Sequence, residues 1–309
     1  MEIILAPIHG ITYANYRNSF HKVFGGIDTY FTPFISPTGL RIEDSVIFDD
    51  VKPMNNNSDL HIIPQLLGNN GRDFTYFANR IAEYGYKEIN WNLGCPQRNI
   101  TKKMKGSGLL SEPELVDRIL EEVCRDKNYE LSVKIRLGQL SLDEGIRIMD
   151  VLNKYPLKGV IIHPRTAKQM YGGQVDLDGF ETLYSQCMHE VTYNGDIVVK
   201  EDLDRLVQRY PGIDKYMIGR GALKNPFLPS SLQGVELTLD EKQAKVLEFH
   251  DYIYEDYLKT LPKEINVLGK MKEFWPYLAW IFDSSGQLTK SVRLAKSYKE
   301  YELVIDKLR

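Results

Sequence analysis

The sequence predicts an α/β chain, a (β/α)8 barrel over residues 1–235 followed by a small helical domain over residues 236–309. Three observations carry this. Eight short apolar or alternating runs recur, beginning near residues 2, 28, 61, 88, 131, 159, 190 and 215. Segments of helical periodicity separate them, as in GRDFTYFANRIAEYG and KEDLDRLVQRYPG. After NPFLPSSLQG the strand-like runs stop and only helical periodicity remains. Eight β–α units in about 230 residues are the repeat of a barrel. A doubly wound sheet is the structural alternative, and it predicts no constellation shared among all strand ends.

Taken in order, the first run, EIILAP, ends in Pro7-Ile8-His9-Gly10. DTYFTPF is the second, and HIIPQL, the third, ends near Gln65. In the fourth, EINWNL, Asn90 and Asn92 share one face while Ile89, Trp91 and Leu93 share the other. The fifth, LSVKIRL, places Lys134 and Arg136 at the same spacing. The sixth ends in His163 and Arg165, the seventh in Asn194-Gly195-Asp196, and the eighth in Gly219-Arg220-Gly221. Capping boxes are expected at Ser111 with Glu114, Ser141 with Glu144, and Thr238 with Glu241, the last opening the helical domain. The aromatics around Trp275 and Trp280 read as helix packing.

Composition narrows the function classes. A net charge of −3 excludes nucleic-acid binding through overall charge, so such binding needs a local basic patch. The start, MEIILAPIHG, has no basic n-region, and no apolar run reaches the ~18 residues of a membrane helix. Neither a signal peptide nor a membrane span is expected. Cys95, Cys124 and Cys187 are isolated, forming neither a disulfide framework nor a CxxC metal motif. A cytoplasmic protein without a structural metal is expected.

Active sites of barrels lie at the C-terminal ends of the strands. Polar residues from at least five of those ends are costly to bury unless a polar ligand meets them. The glycines after the seventh and eighth strands let backbone N–H groups approach a phosphate, and Arg220 adds charge. Gln65 and Lys134 can hydrogen-bond a heteroaromatic ring. A phosphorylated, redox-active flat ring is FMN. No GxGxxG follows a strand, so a nicotinamide is expected only as a transient electron donor. In INWNLGCPQRNITKKMKGSGLL, residues 89–110, a lone thiol precedes Arg98, Lys102, Lys103 and Lys105. From the residues alone, Cys95 is a general acid or a small buried hydrophobe. The basic loop is an RNA contact or a solvated surface. The same pair of readings holds for Lys290, Arg293 and Lys296, three apart and expected as one stripe of the last helix.

The motifs LAPIHGIT with NYR, NWNLGCP, VKIRLG, HPRTAKQMYGG, NGDI and MIGRGALKNPFL, in this order and spacing, resemble the tRNA-dihydrouridine synthases of bacterial type. The resemblance implies an FMN barrel with a C-terminal helical tRNA-binding domain, reducing uridines of tRNA with NADPH. It implies that Cys95 donates the proton, and that Asn92, Lys134, His163 and Arg165 line the flavin and uracil site, with Arg136 on the substrate side. Pro7, Ile8 and His9 would lie against the ring. Gln65 and Lys134 would contact it. Asn194, Gly195, Asp196, Gly219 and Arg220 would hold the ribityl and phosphate end. Some positions depart: Ile8 stands for the family's Met, Tyr13 for an acidic residue, Pro33 for a Glu, and the glycine loop reads Gly106-Ser107-Gly108.

Reducing the C5=C6 bond of uracil needs a hydride at C6 and a proton at C5. An ordinary Cys, pKa about 8.5, is mostly thiol at neutral pH and can give that proton. The target uridine must be extruded from the folded tRNA into the pocket. A monomer without an obligatory protein partner is expected. The rivals are an FMN barrel acting on a free pyrimidine, as in dihydroorotate dehydrogenases, and an RNA-binding module that has lost its flavin.

Overall fold

The computed structural model describes residues 1–37, 46–125 and 127–309. Its strands are β1 (Glu2–Leu5), β2 (Thr29–Phe31), β3 (His61–Ile63), β4 (Gln65–Leu66), β5 (Glu88–Leu93), β6 (Glu130–Arg136), β7 (Gly159–His163), β8 (Glu190–Tyr193) and β9 (Lys215–Ile218). All pair in parallel, in the order β3-β2-β1-β9-β8-β7-β6-β5-β4. Each of the eight expected runs forms a strand, but the third is split. Pro64 has no N–H to give the ladder, so HIIPQL becomes β3, paired to β2, and β4, paired to β5. The Pro64 carbonyl still accepts from Asn90 N at 2.8 Å, and the barrel closes through this residue.

Helices α1 (Ala14–Val23), α2 (Gly71–Glu83), α4 (Pro113–Arg125), α5 (Leu142–Leu152), α6 (Leu177–Gln186) and α7 (Lys200–Arg209) follow strands, while the short α3 (Arg98–Thr101) sits in the loop after β5. Their inward stripes recur at helical spacing, as with Phe74, Phe77, Ala78 and Ile81 on α2, or Val116, Ile119, Leu120 and Val123 on α4. These stripes bury against the outward-facing strand residues, Ile89, Trp91 and Leu93 among them. The boxes at Ser141 and Thr238 form, with the Glu144 carboxylate accepting from Ser141 N and that of Glu241 from Thr238 N. The Ser111 box does not. Helix α4 starts at Pro113, so Glu112 takes the cap position, and the Ser111 hydroxyl donates to the Gly108 carbonyl.

Helix α1 is capped by an acid from elsewhere in the chain. Asp50 accepts from Ala14 N at 2.6 Å, capping α1, and pairs with the fully buried Arg17 at 3.0 Å. Arg17 also donates to the Thr12 and Asp50 carbonyls and to Asn56.

After α8 (Arg220–Lys224) and α9 (Leu228–Leu232), the chain is helical: α10 (Leu239–Thr260), α11 (Glu264–Leu278), α12 (Gln287–Leu294) and α13 (Tyr298–Ile305). Tyr16 of α1 meets Phe249 of α10 edge-on at 5.5 Å and stacks on Phe274 of α11 at 5.9 Å, so these helices share a core with the barrel. Trp275 is buried and donates to the Tyr301 hydroxyl. Trp280, expected in the packing, is instead half exposed, its indole N–H donating to the Lys224 carbonyl. The expected basic stripe on one helix is also corrected. Helix α12 ends at Leu294, Ala295 turns extended, and Lys296 lies in the link to α13. Val292 and Ala295 are buried there, while Arg293, Leu294 and Lys296 are exposed.

Candidate active site

A cleft of about 490 Å³ opens at the C-terminal ends of the strands. Pro7, Ile8 and His9 reach it from β1, Gln65 from β4, Asn92 and Cys95 from β5, and Lys134 and Arg136 from β6. His163 and Arg165 come from β7, Asn194, Gly195 and Asp196 from β8, and Gly219 and Arg220 from β9. Of the residues named at the strand ends, all but Gly10 and Asn90 line this one cavity. Arg98, Lys102, Lys103, Lys290, Arg293 and Lys296 lie outside it and are exposed. Lys105 differs from its neighbours: its ammonium turns inward to Ser36 Oγ and the Pro37 carbonyl, and burial lowers its pKa. It holds the loop down rather than facing solvent.

The thiol is placed by backbone and amide contacts. Asn92 Oδ1 accepts from Gly94 N at 3.0 Å and Cys95 N at 2.9 Å, turning the chain out of β5. The Cys95 carbonyl accepts from Ser107 N and Ser107 Oγ, which folds the glycine loop back under it. Gly106 there has φ +57°, and a Cβ would stand 2.8 Å from the Cys95 carbonyl oxygen. Burial pushes the Cys95 thiol up, more than the Arg136 and Lys134 charges pull it down. It is a thiol at neutral pH. The basic loop does not figure among the charges that act on it.

Lys134, Arg136, Arg165 and Arg220 converge on the cleft, and Asp196 is the one acid in its lining among the described residues. Burial and the adjacent Arg136 bring the Lys134 ammonium down to about 7. Arg136, 2 % exposed, has no carboxylate partner among the described residues and is brought to about 10 by burial. It donates to the carbonyls of Gly94, Thr166 and Met170, tying the Cys95 turn to the loop after β7. Arg165 likewise holds the Gly172 and Gly173 carbonyls. Both arginines, expected on the substrate side, thus spend several N–H groups on that loop. Arg165 and Arg220 share Asp196, whose backbone is left-handed at φ +42°. His163 is held neutral by burial and four nearby cations, and Arg165 Nη1 stands 3.2 Å from its Nε2. A guanidinium only donates, so Nε2 accepts and the ring proton sits on Nδ1.

Some lining residues escaped sequence reasoning. Phe34 stacks on the exposed His9 ring at 5.1 Å. Tyr171, half exposed, lies between the guanidinium groups of Arg136 and Arg220, 5.4 and 5.1 Å from its ring. Its signal is the QMYGG run after HPRT, a loop rather than a strand end. Gly221 carries a different constraint from the expected one: its Cβ would lie 2.1 Å from the Ile197 carbonyl, so packing requires the glycine.

A buried arginine and a lysine without acid partners among the described residues, beside glycine backbone and a neutral histidine, are suited to an anionic ring-bearing ligand. The dihydrouridine synthase family model matches residues 4–305. The chain belongs to the dihydrouridine synthase family. The family is one of flavin-dependent oxidoreductases that modify tRNA. A probable tRNA-dihydrouridine synthase of Staphylococcus epidermidis is 31% identical over 86% of this chain and 82% of its own. One from Staphylococcus aureus is 30% identical over 98% and 92%. The tRNA-dihydrouridine synthase B of Pasteurella multocida is 32% identical over 60% and 54%. Among solved structures, histamine dehydrogenase from Rhizobium sp. 4-9 shares the fold, with TM-score 0.58, 10% identity, and coverage of 80% of this chain and 49% of that one. Among the described residues no cluster of metal ligands occurs, and no helix is long and apolar enough to cross a membrane.

Proposed function

We propose that this dihydrouridine synthase holds FMN in the 490 Å³ cleft, takes electrons from NADPH, and reduces extruded uridines of tRNA with Cys95 as proton donor. The observation that carries the reading is the convergence of Lys134, Arg136, Arg165 and Arg220 on a cavity whose thiol is protonated at neutral pH. When bound, FMN supplies the hydride for C6 of uracil. Gln65 and Lys134 would hold its ring, with Pro7, Ile8 and His9 against it. Asn194, Gly195, Asp196, Gly219 and Arg220 would hold its phosphate end. The lining fits, because Lys134, Arg136, Arg165, Arg220 and Lys224 face one acid, Asp196, among the described residues.

The chain's own part of the chemistry is positioning and proton transfer. Asn92 fixes the Cys95 turn, the thiol holds the proton for C5, and burial keeps it there at neutral pH. Neutral His163 and the side chains of Asn92 and Arg165 would line the uracil. Tyr171 and the loop held by Arg136 would keep water from the reacting edge. We propose Arg98, Lys102 and Lys103, with Lys290, Arg293 and Lys296 in the region from residue 236 onward, as exposed contacts for tRNA phosphates. The test is to map dihydrouridine in total tRNA of a strain lacking the gene, with and without its restoration. Loss and return of dihydrouridine at defined positions supports the proposal; an unchanged map overturns it.

A further inference from the structure

A second cavity, of about 390 Å³, opens at the opposite end of the barrel, where the strands begin. Strand alternation puts Glu2, His61, Glu88, Glu130, Glu190 and Lys215 in its inward-facing ring. Position 159 of the same ring is glycine, so β7 gives no side chain there. The next layer is apolar, with Ile4, Phe31, Ile63 and Ile161 as the inner wall of the cavity. These four cluster with Ala6 and Met217, which line the cleft at the other end, so one apolar layer parts the two cavities. Barrel interiors are ordinarily filled by branched apolar side chains. A charged ring around a space of small-molecule size departs from that.

The polar groups of this lining divide into those that are satisfied and those that are not. Lys215 pairs with Glu190 at 2.9 Å and Glu2 at 3.4 Å, and Lys158 with Glu130 at 3.1 Å. Thr29 gives its hydroxyl proton to Glu2 at 2.6 Å, so in the neutral ring His61 Nδ1, 2.9 Å from that hydroxyl, donates to it. Glu88 accepts from the Ser132 hydroxyl, and the cations that act on it, Lys158 and Lys215, are already paired with other carboxylates. Burial raises the Glu88 pKa against that hydrogen bond. Four carboxylates of the lining face three lysines, Lys87, Lys158 and Lys215, which leaves one negative charge unmatched. Thr192, inward on β8 and 7 % exposed, lines the cavity with a hydroxyl that bonds to nothing among the described residues. A buried hydroxyl without a partner is costly, and a ligand that bonds to it recovers that cost.

We propose that this cavity is a second ligand site, taking an amphipathic organic monocation with an ammonium at one end, a neutral hydrogen-bonding group at the other and an apolar chain between. The ammonium meets the Glu88 carboxylate, the chain lies on Ile4, Phe31, Ile63 and Ile161, and the neutral group meets the Thr192 hydroxyl. Glu88 on β5 and Thr192 on β8 are three strands apart, with ~4.8 Å between neighbouring strands along the wall. A chain of about six carbons suits that span. The site is independent of the reaction proposed for the other end of the barrel.

The test uses the full-length protein with its flavin, and Glu88→Gln, Thr192→Val and Thr192→Ser variants. Binding of 6-amino-1-hexanol is measured by titration calorimetry, beside n-hexylammonium, which lacks the hydroxyl, and 1,6-hexanediol, which lacks the charge. Wild type should bind the amino alcohol saturably, and each control roughly tenfold more weakly. Glu88→Gln should weaken binding of the amino alcohol roughly tenfold and leave that of the diol unchanged. Thr192→Val should weaken the amino alcohol roughly tenfold and leave hexylammonium unchanged, while Thr192→Ser, which keeps the hydroxyl, should bind as wild type does. Flavin absorbance and flavin reduction by NADPH should not respond to the ligand, because the apolar layer separates the sites. If Glu88→Gln does not fold, Thr192→Val, which keeps the shape of the side chain, decides. No saturable binding by wild type, an affinity unmoved in Glu88→Gln or in Thr192→Val, or a change in flavin absorbance on binding overturns the proposal.

Discussion

Lys134 carries its ammonium on an inward position of β6, beside Arg136 and without an acid partner among the described residues. Its folded value of about 7 lies below the ordinary lysine value near 10.4, so between these the unfolded chain binds more protons. The flavin-free protein should therefore gain stability from this group as pH rises through that window. Lys134→Met should raise its melting temperature most below pH 7, flatten the rise, and weaken flavin retention; thermal unfolding at pH 6 and 9 with a flavin assay checks all three. Cys95→Ala should leave flavin reduction by NADPH intact and slow uridine reduction by roughly 10²–10⁴-fold. Because burial raises the thiol pKa, and the proposed role of Cys95 needs its acid form, wild-type uridine reduction should fall only above the ordinary thiol value of about 8.5. A fall beginning below pH 8 would contradict this. These inward residues were legible in the sequence because strand alternation puts Asn90 with Asn92 and Lys134 with Arg136 on one face. What they spend their hydrogen bonds on was not, since Arg136 binds carbonyls 30 and 34 residues away in the chain.

Among elements, the loop after β5 and the cap of α1 make the most exposed commitments. Gly106 has φ +57° and no room for a Cβ beside Cys95. Gly106→Ala should displace the thiol and lower uridine reduction by roughly 10²-fold, with flavin content unchanged; single-turnover kinetics against flavin absorbance measures it. Asp50→Ala leaves buried Arg17 without its acid and should cost roughly 3–5 kcal/mol in urea unfolding, with Asp50→Asn milder because an amide oxygen can still cap α1. Equal losses for both variants would mean that charge, not the cap, dominates. The acid that caps α1 sits 36 residues from Ala14, and no local pattern points to it. Likewise, the break after Leu294 carries neither Gly nor Pro, so three-residue spacing suggested a stripe that the helices α12 and α13 do not share.

At the scale of the whole molecule, the proposed function needs both the barrel cleft and an exposed basic surface in a chain of net charge −3. Replacing Lys290, Arg293 and Lys296 together by Gln should flatten the salt dependence of tRNA affinity by about 0.7–0.9 in log–log slope for each phosphate no longer neutralised, without altering flavin content. An unmoved slope would assign RNA positioning to Arg98, Lys102 and Lys103. The central claim is that the cleft reduces uridine and that Cys95 supplies the proton. Its most direct measurement is an anaerobic single turnover: pre-reduced wild type and Cys95→Ala are each mixed with tRNA lacking dihydrouridine, following flavin reoxidation and dihydrouridine by mass spectrometry. The account predicts stoichiometric dihydrouridine with wild type and reoxidation slowed roughly 10²–10⁴-fold in Cys95→Ala. Dihydrouridine formed by Cys95→Ala at the wild-type rate would contradict it.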